Sequence, residues 1–189
     1  MVYSVRMLSS RVSRLIARRA VLFGLLIGPL FGAYASGELR LNSAPQKSGQ
    51  VDSILVLKKD HVMELLSRGK VVRTYKVALG RGGLEPKQRE GDGRTPEGHY
   101  VIDAKYEHSA YHKALHVSYP DAEDRRRAAT LGVPPGGAIM IHGLPNGRGW
   151  IGAGQHLYDW TLGCIAVTNE EIDDVWNLVP VGTSVEIRP

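Results

Sequence analysis

IMIHG at 139–143 and TLGCIAVTN at 161–169 decide how this chain is read. The first is a short apolar run that ends on His142 and Gly143. The second carries the chain's single cysteine, Cys164, directly after Gly163, and continues through Ile165, Ala166 and Val167. Short apolar runs bounded by glycine read as buried strands. If the two strands lie side by side, His142 and Cys164 meet at one edge of a sheet. A thiol is mostly protonated at neutral pH, and an adjacent imidazole that takes its proton draws the cysteine pKa below ~8.5. Gly163 lets the backbone turn sharply just before the thiol, where N–H groups can face a developing oxyanion. Gly143 offers a carbonyl to hold the imidazole N–H of His142. The pattern therefore predicts Cys164 as nucleophile, His142 as general base and acid, Gly143 as its orienting carbonyl and Gly163 as the oxyanion corner.

Working outward, Thr168 and Glu171 form a capping box. The helix that follows, from Asn169 to about Val179, carries Ile172, Val175, Trp176 and Val179 on one face. Residues 143–159 are glycine-rich and read as a loop. Upstream, strands are expected at Ile54–Leu57, Val62–Leu66 and Val71–Leu79, separated by turn formers, then at Gly98–Ala104 and Ala114–Ser118. Residues 80–95 read as a loop. Asp121 caps a polar helix to about Leu131, with acids first and Arg125, Arg126 and Arg127 later. Val185 to Ile187 forms a last strand. The fold class is mainly β with two peripheral helices, as a mixed β-sandwich or open barrel.

The ends set the domain organisation. Arg6, Arg11, Arg14, Arg18 and Arg19 precede an apolar run from Ala20 to about Ala33, followed by Ala33-Tyr34-Ala35. A basic start, a short apolar middle and an A-x-A end describe a secretory signal peptide over 1–35; an uncleaved membrane anchor is the other reading. Residues 36–51 read as a polar linker and 52–189 as one domain. The chain has 24 basic and 19 acidic residues. Residues 1–35 hold five of the arginines and no acid, so the remainder balances at 19 against 19. A nucleic-acid binder keeps its basic surplus on the folded domain, so no nucleic-acid partner is expected. An exported protein whose one cysteine has no internal partner carries an inert, intermolecular or reactive thiol, and its glycine-flanked setting points to the reactive one.

These motifs resemble the active-site signature of the L,D-transpeptidase catalytic domain family, the YkuD type. GDGRTPEGHYVI (91–102) adds the upstream Thr-Pro-x-Gly-x-aromatic motif of that family. The resemblance spans roughly residues 52–188. It departs from the usual Ser-His-Gly-Cys-x-Arg form, because Thr161-Leu162-Gly163-Cys164 stands here with Ala166 in the place of the arginine. A divergent branch is thus implied. The resemblance implies that Cys164 attacks the acyl carbonyl before a terminal D-Ala in a peptidoglycan stem tetrapeptide. The thioester then passes to an amine, giving a 3-3 cross-link or attachment to a lipoprotein. Hydrolysis by the same machinery, as an L,D-carboxypeptidase or an amidase releasing wall-bound lipoprotein, is the alternative; a non-catalytic wall-binding protein is a third. Exported, periplasmic location, peptidoglycan partners and independence of metal and cofactor go with it.

Candidate substrate-binding residues are Tyr111 and His112 lining a groove, Arg148 for a stem-peptide carboxylate, Trp160 beside the nucleophile, and Asn169, which carries over from the family motif. Trp150, Tyr158 and Asp159 are further pocket-shaping candidates. His108, His112 and His116 recur every four residues. That spacing would align them for a metal only on a helix, whereas a loop entering a strand is expected there.

Overall fold

A computed structural model describes residues 50–189. The leader expected over 1–35 and the linker expected over 36–51 fall outside it, save for Gln50 and Val51. The strands are β1 (Ser53–Leu57), β2 (Val62–Ser67), β3 (Lys70–Lys76), β4 (Gly98–Ser109), β5 (His112–Val117), β6 (Met140–His142), β7 (Ile165–Ala166) and β8 (Ser184–Arg188). Two α-helices, α1 (Ala122–Thr130) and α2 (Asn169–Leu178), accompany them.

The eight strands form one sheet in the order β3-β2-β1-β8-β4-β5-β6-β7. Period-two alternation turns Ile54 and Val56, Met63 and Leu65, Tyr100 and Ile102, Val185 and Ile187 into a common core. Ile141, Ile165 and the α2 residues Ile172 and Val175 complete it. The mainly β expectation thus takes its open-barrel form: one sheet curls around its core. Both helices start where their capping signals place them, with reciprocal capping boxes Asp121/Asp124 and Thr168/Glu171.

Two expectations are revised. Val71–Leu79 is not one strand: β3 ends at Lys76, and the next residues cross to the opposite edge of the sheet. There Ala78 and Ala166 exchange backbone hydrogen bonds of 3.0 and 2.8 Å, and Gly80 bridges to Thr161. Val77, Ala78 and Leu79 are buried in succession because this crossing segment is covered on both sides. The loop over 143–159 also contains 3-10 turns over Gly149–Leu157, broken at Gly152, where φ is +50°. Glycine content hides such turns from a periodicity argument.

The Thr95-Pro96-Glu97-Gly98 motif serves as a joint. Lys58, wholly buried, donates to Thr95 O at 3.1 Å and to Glu97 Oε1 at 2.8 Å. Thr95 Oγ1 in turn accepts the Gly80 N–H at 3.0 Å. A buried ammonium needs such partners, and here they tie the β1–β2 turn to the loop that borders the cysteine.

Candidate active site

β6 and β7 run parallel with Ile141 opposite Ile165 and His142 opposite Ala166. Ile141 and Ile165 face the core. Alternation therefore puts Met140, His142 and Ala166 on the other face, and Cys164, two residues before Ala166, shares it. His142 and Cys164 both line a cleft of about 540 Å³. Tyr111, Trp160, Met140, Lys87 and Glu90 are among its other walls.

His142 is 4% exposed, and its Nδ1 lies 2.7 Å from the carbonyl oxygen of Gly143. A carbonyl only accepts, so Nδ1 carries the proton and Nε2 holds the free lone pair. Asn169 holds this arrangement from behind: its Oδ1 accepts the Leu144 N–H at 2.9 Å. Gly143 is required there, because a Cβ would stand 2.7 Å from that same Oδ1. Burial pushes the His142 pKa below its ordinary value, with the Gly143 hydrogen bond opposing. Burial likewise pushes the Cys164 thiol up, against a Met140 backbone hydrogen bond and the charge of Lys87, which lower it. Both shifts oppose the ion pair expected from the sequence, because the cleft wall desolvates thiol and imidazole together.

The corner before the nucleophile is built by Thr161. Its hydroxyl donates to Cys164 O at 2.8 Å and accepts the Gly163 N–H at 3.1 Å. Gly163 has φ +128°, and a Cβ there would stand 2.6 Å from Arg94 O. Its N–H is therefore spent on Thr161, which leaves the N–H of Cys164 itself as the corner's candidate oxyanion donor.

An aromatic wall faces the imidazole. The Tyr111 ring lies 4.5 Å from that of His142, centroid to centroid, and the Trp160 ring meets His142 edge-on at 5.8 Å. Tyr111 sits at the β4–β5 turn. Asn146 ties that turn down, accepting the His112 N–H at 2.9 Å and donating to Ser109 O at 3.0 Å. Trp160 Nε1 donates to Gln155 Oε1 at 3.1 Å, and Gln155 Nε2 donates to Ala166 O at 3.2 Å.

The remaining candidates stand elsewhere. His112 turns its Nε2 to Asp173 of α2, at 3.0 Å. Asn169 acts on Gly143 and Leu144 from behind and is not part of the cleft wall. Arg148 is exposed and lines a smaller cavity with Ile151, Gln155, Tyr158 and Trp160. Asp159 accepts the Leu79 N–H at 2.7 Å and pairs with His61 at 3.0 Å, anchoring the loop behind Trp160. Trp150 and Tyr158 are exposed. His116 pairs with Asp103 across the β4–β5 hairpin. Sequence reasoning missed Thr161, Gln155, Asn146 and Lys87. Of these only Thr161 carried a local signal, a hydroxyl two residues before the N–H it caps.

A curled, mainly β sheet with a thiol and an imidazole on one face of the adjacent strands β6 and β7 defines the class of L,D-transpeptidase-type domains. Residues 52–187 match the family model of the YkuD L,D-transpeptidase catalytic domain, and the chain belongs to that family. It is 30% identical over 140 residues to "Putative L,D-transpeptidase YafK" of Escherichia coli (strain K12), covering 71% of this chain and 49% of the relative. The chain thus spans about half the length of the curated relatives it matches. Among solved structures, the helical cell shape determining protein Pgp2 of Campylobacter jejuni aligns with TM-score 0.57 and 25% identity, over 75% of this chain and 48% of that one. The L,D-transpeptidase of Xylanimonas cellulosilytica aligns with TM-score 0.52 and 18% identity, over 76% and 63%, and supports the fold alone.

Proposed function

We propose that this chain is an exported L,D-transpeptidase acting on peptidoglycan stem peptides in the periplasm, with Cys164 as nucleophile and His142 as its base. The observation that carries the reading is the shared cleft of Cys164 and a His142 whose Nδ1 is held by Gly143 O, leaving Nε2 as the acceptor. Family membership supports the peptide class of the substrate. The leader over 1–35 supports export.

In this reading the Cys164 Sγ proton passes to His142 Nε2 as Sγ bonds to the acyl carbon. Making the ion pair as substrate arrives fits a site whose burial opposes charge on both groups. The oxyanion turns toward the Cys164 N–H. The C–N bond to D-alanine breaks, and His142 returns the proton to the departing amine. An acceptor amine then attacks the thioester and gives its proton to His142. The C–S bond breaks, and the proton returns to Sγ. Tyr111 and Trp160 pack against the imidazole and keep water from it.

The test is mass spectrometry of disaccharide-tetrapeptide incubated with the protein and with Cys164→Ala. Loss of D-alanine with a new cross-linked dimer, both absent in the variant, is expected. Loss without a dimer assigns hydrolysis, and an untouched substrate overturns the reading.

A further inference from the structure

The cleft wall holds a buried basic side chain that the mechanism above does not use. Lys87 is 4% exposed, yet its side chain forms part of the wall that Cys164 and His142 share. It also lines a second cavity, with Pro86, Glu97, Arg127 and Leu131. Burying an ammonium is costly unless it is paired, and the chain builds a seat for it. Lys87 Nζ donates to Arg89 O at 3.0 Å and to Asp92 Oδ1 at 2.8 Å. Asp92 organises the whole turn, accepting the N–H groups of Gln88 at 2.8 Å, Arg89 at 3.0 Å and Arg94 at 3.1 Å. These bonds hold the Asp92 carboxyl at about 2, against the effect of its burial, so it stays an anion.

The seat is also locked to the nucleophile. Gly82 N–H donates to Gly93 O at 2.9 Å, and Gly163 packs so closely on Arg94 O that a Cβ would not fit. An ammonium has three N–H donors; two are taken here, and the third has no acceptor among the described residues. The other charged group on the cleft wall, Glu90, is exposed and screened by solvent.

We propose that Lys87 is a specificity-determining residue that binds a substrate carboxylate beside Cys164. This rests on the cleft being the reactive site and deepens the proposed function by naming an anionic acyl donor. Two carboxylates of a stem tetrapeptide have the required chemistry: that of the leaving D-alanine and that on the side chain of the diamino acid. The charge of Lys87 reaches the thiol, since it lowers the Cys164 pKa against the burial that raises it.

The experiment compares alkylation of the full chain by iodoacetate and by iodoacetamide, followed by intact mass. The single cysteine makes the product unambiguous. Any change in the thiolate fraction scales both rates alike, so their ratio isolates attraction of the carboxylate. Relative to free cysteine, the wild type is expected to favour iodoacetate by about tenfold to a hundredfold, the range of a hydrogen bond to a charged group. Lys87→Met should return the ratio to that of free cysteine. The double variant K87M/D92N leaves no unpaired buried carboxylate and serves if the single variant does not fold. A wild-type ratio equal to that of free cysteine, or a ratio unchanged in the variants, overturns the proposal. Tetrapeptides amidated at the D-alanine or at the diamino-acid carboxyl then assign the source: the amide that removes the wild-type advantage over K87M marks the carboxylate bound. If no tetrapeptide is turned over while the alkylation ratio still depends on Lys87, the anion site stands and the transpeptidase reading falls.

Discussion

His142 Nδ1 and the carbonyl oxygen of Gly143, the next residue in the chain, lie 2.7 Å apart, so the imidazole is oriented by backbone alone. No side-chain substitution removes that acceptor. What can be removed is its support, and that support is Asn169.

Asn169→Ala takes the acceptor from the Leu144 N–H, which is buried. Stability should fall by about 1–3 kcal/mol, the cost of stranding a buried donor. kcat should drop about tenfold or more as the imidazole loses its set orientation. Asn169→Asp keeps the acceptor and should recover most of kcat. Chemical denaturation and steady-state kinetics check both; equal kcat in all three proteins would contradict the positioning role.

Gly163→Ala should be among the most damaging single changes at the site. Its φ of +128° disfavours any side chain, and its Cβ would collide with Arg94 O. The corner must open, breaking the Thr161–Gly163 hydrogen bond and moving Cys164. A loss of about 1–3 kcal/mol is expected from the backbone conformation, before the collision is counted. Alkylation of Cys164 alongside thermal melting separates a displaced thiol from an unfolded chain.

Gln155 is 2% exposed and bridges Trp160 Nε1 to Ala166 O. Gln155→Leu strands Trp160 Nε1, while Ala166 O keeps the Ala78 N–H at 3.0 Å, and should cost about 1–3 kcal/mol. It should also release Trp160 from His142, raising KM or lowering kcat. Gln155→Glu keeps the acceptor for Trp160 but places a charge behind it, and should rescue little. Tryptophan fluorescence in a W150F/W176F background, where Trp160 is the remaining indole, gives a readout independent of turnover.

The burial of His142 makes stability pH-dependent in a definite sense. Its folded pKa lies below the ordinary 6.5, so the unfolded chain binds the proton more readily. The contribution is fully present above about 6.5 and is lost as the pH falls through the folded pKa. His142→Gln should therefore flatten the stability profile below that point while leaving the neutral-pH region nearly level. Urea titrations across pH 4 to 8 (about the range needed to bracket the ordinary pKa) would reveal the missing slope.

The mainly β architecture, both helix starts, the strand ends at His142 and Cys164, and the membership of this family were legible in the sequence. Each rests on local physics. Alternation marks strands with one buried face, and a Thr or Asp three residues ahead of an acid marks a helix start whose N–H groups need acceptors. A glycine beside a cysteine marks a turn. The crossing of residues 77–80 to the far edge of the sheet was decided only in three dimensions, as was the bridge from Gln155 to Trp160. The same holds for Asn169 behind Gly143 and for the delivery of Lys87 into the cleft. These depend on partners far apart in the chain, such as the 2.7 Å bond from Leu79 N to Asp159. The desolvation of His142 and Cys164 was also decided there: it is a property of the surrounding walls, and no spacing of the two residues along the chain encodes it.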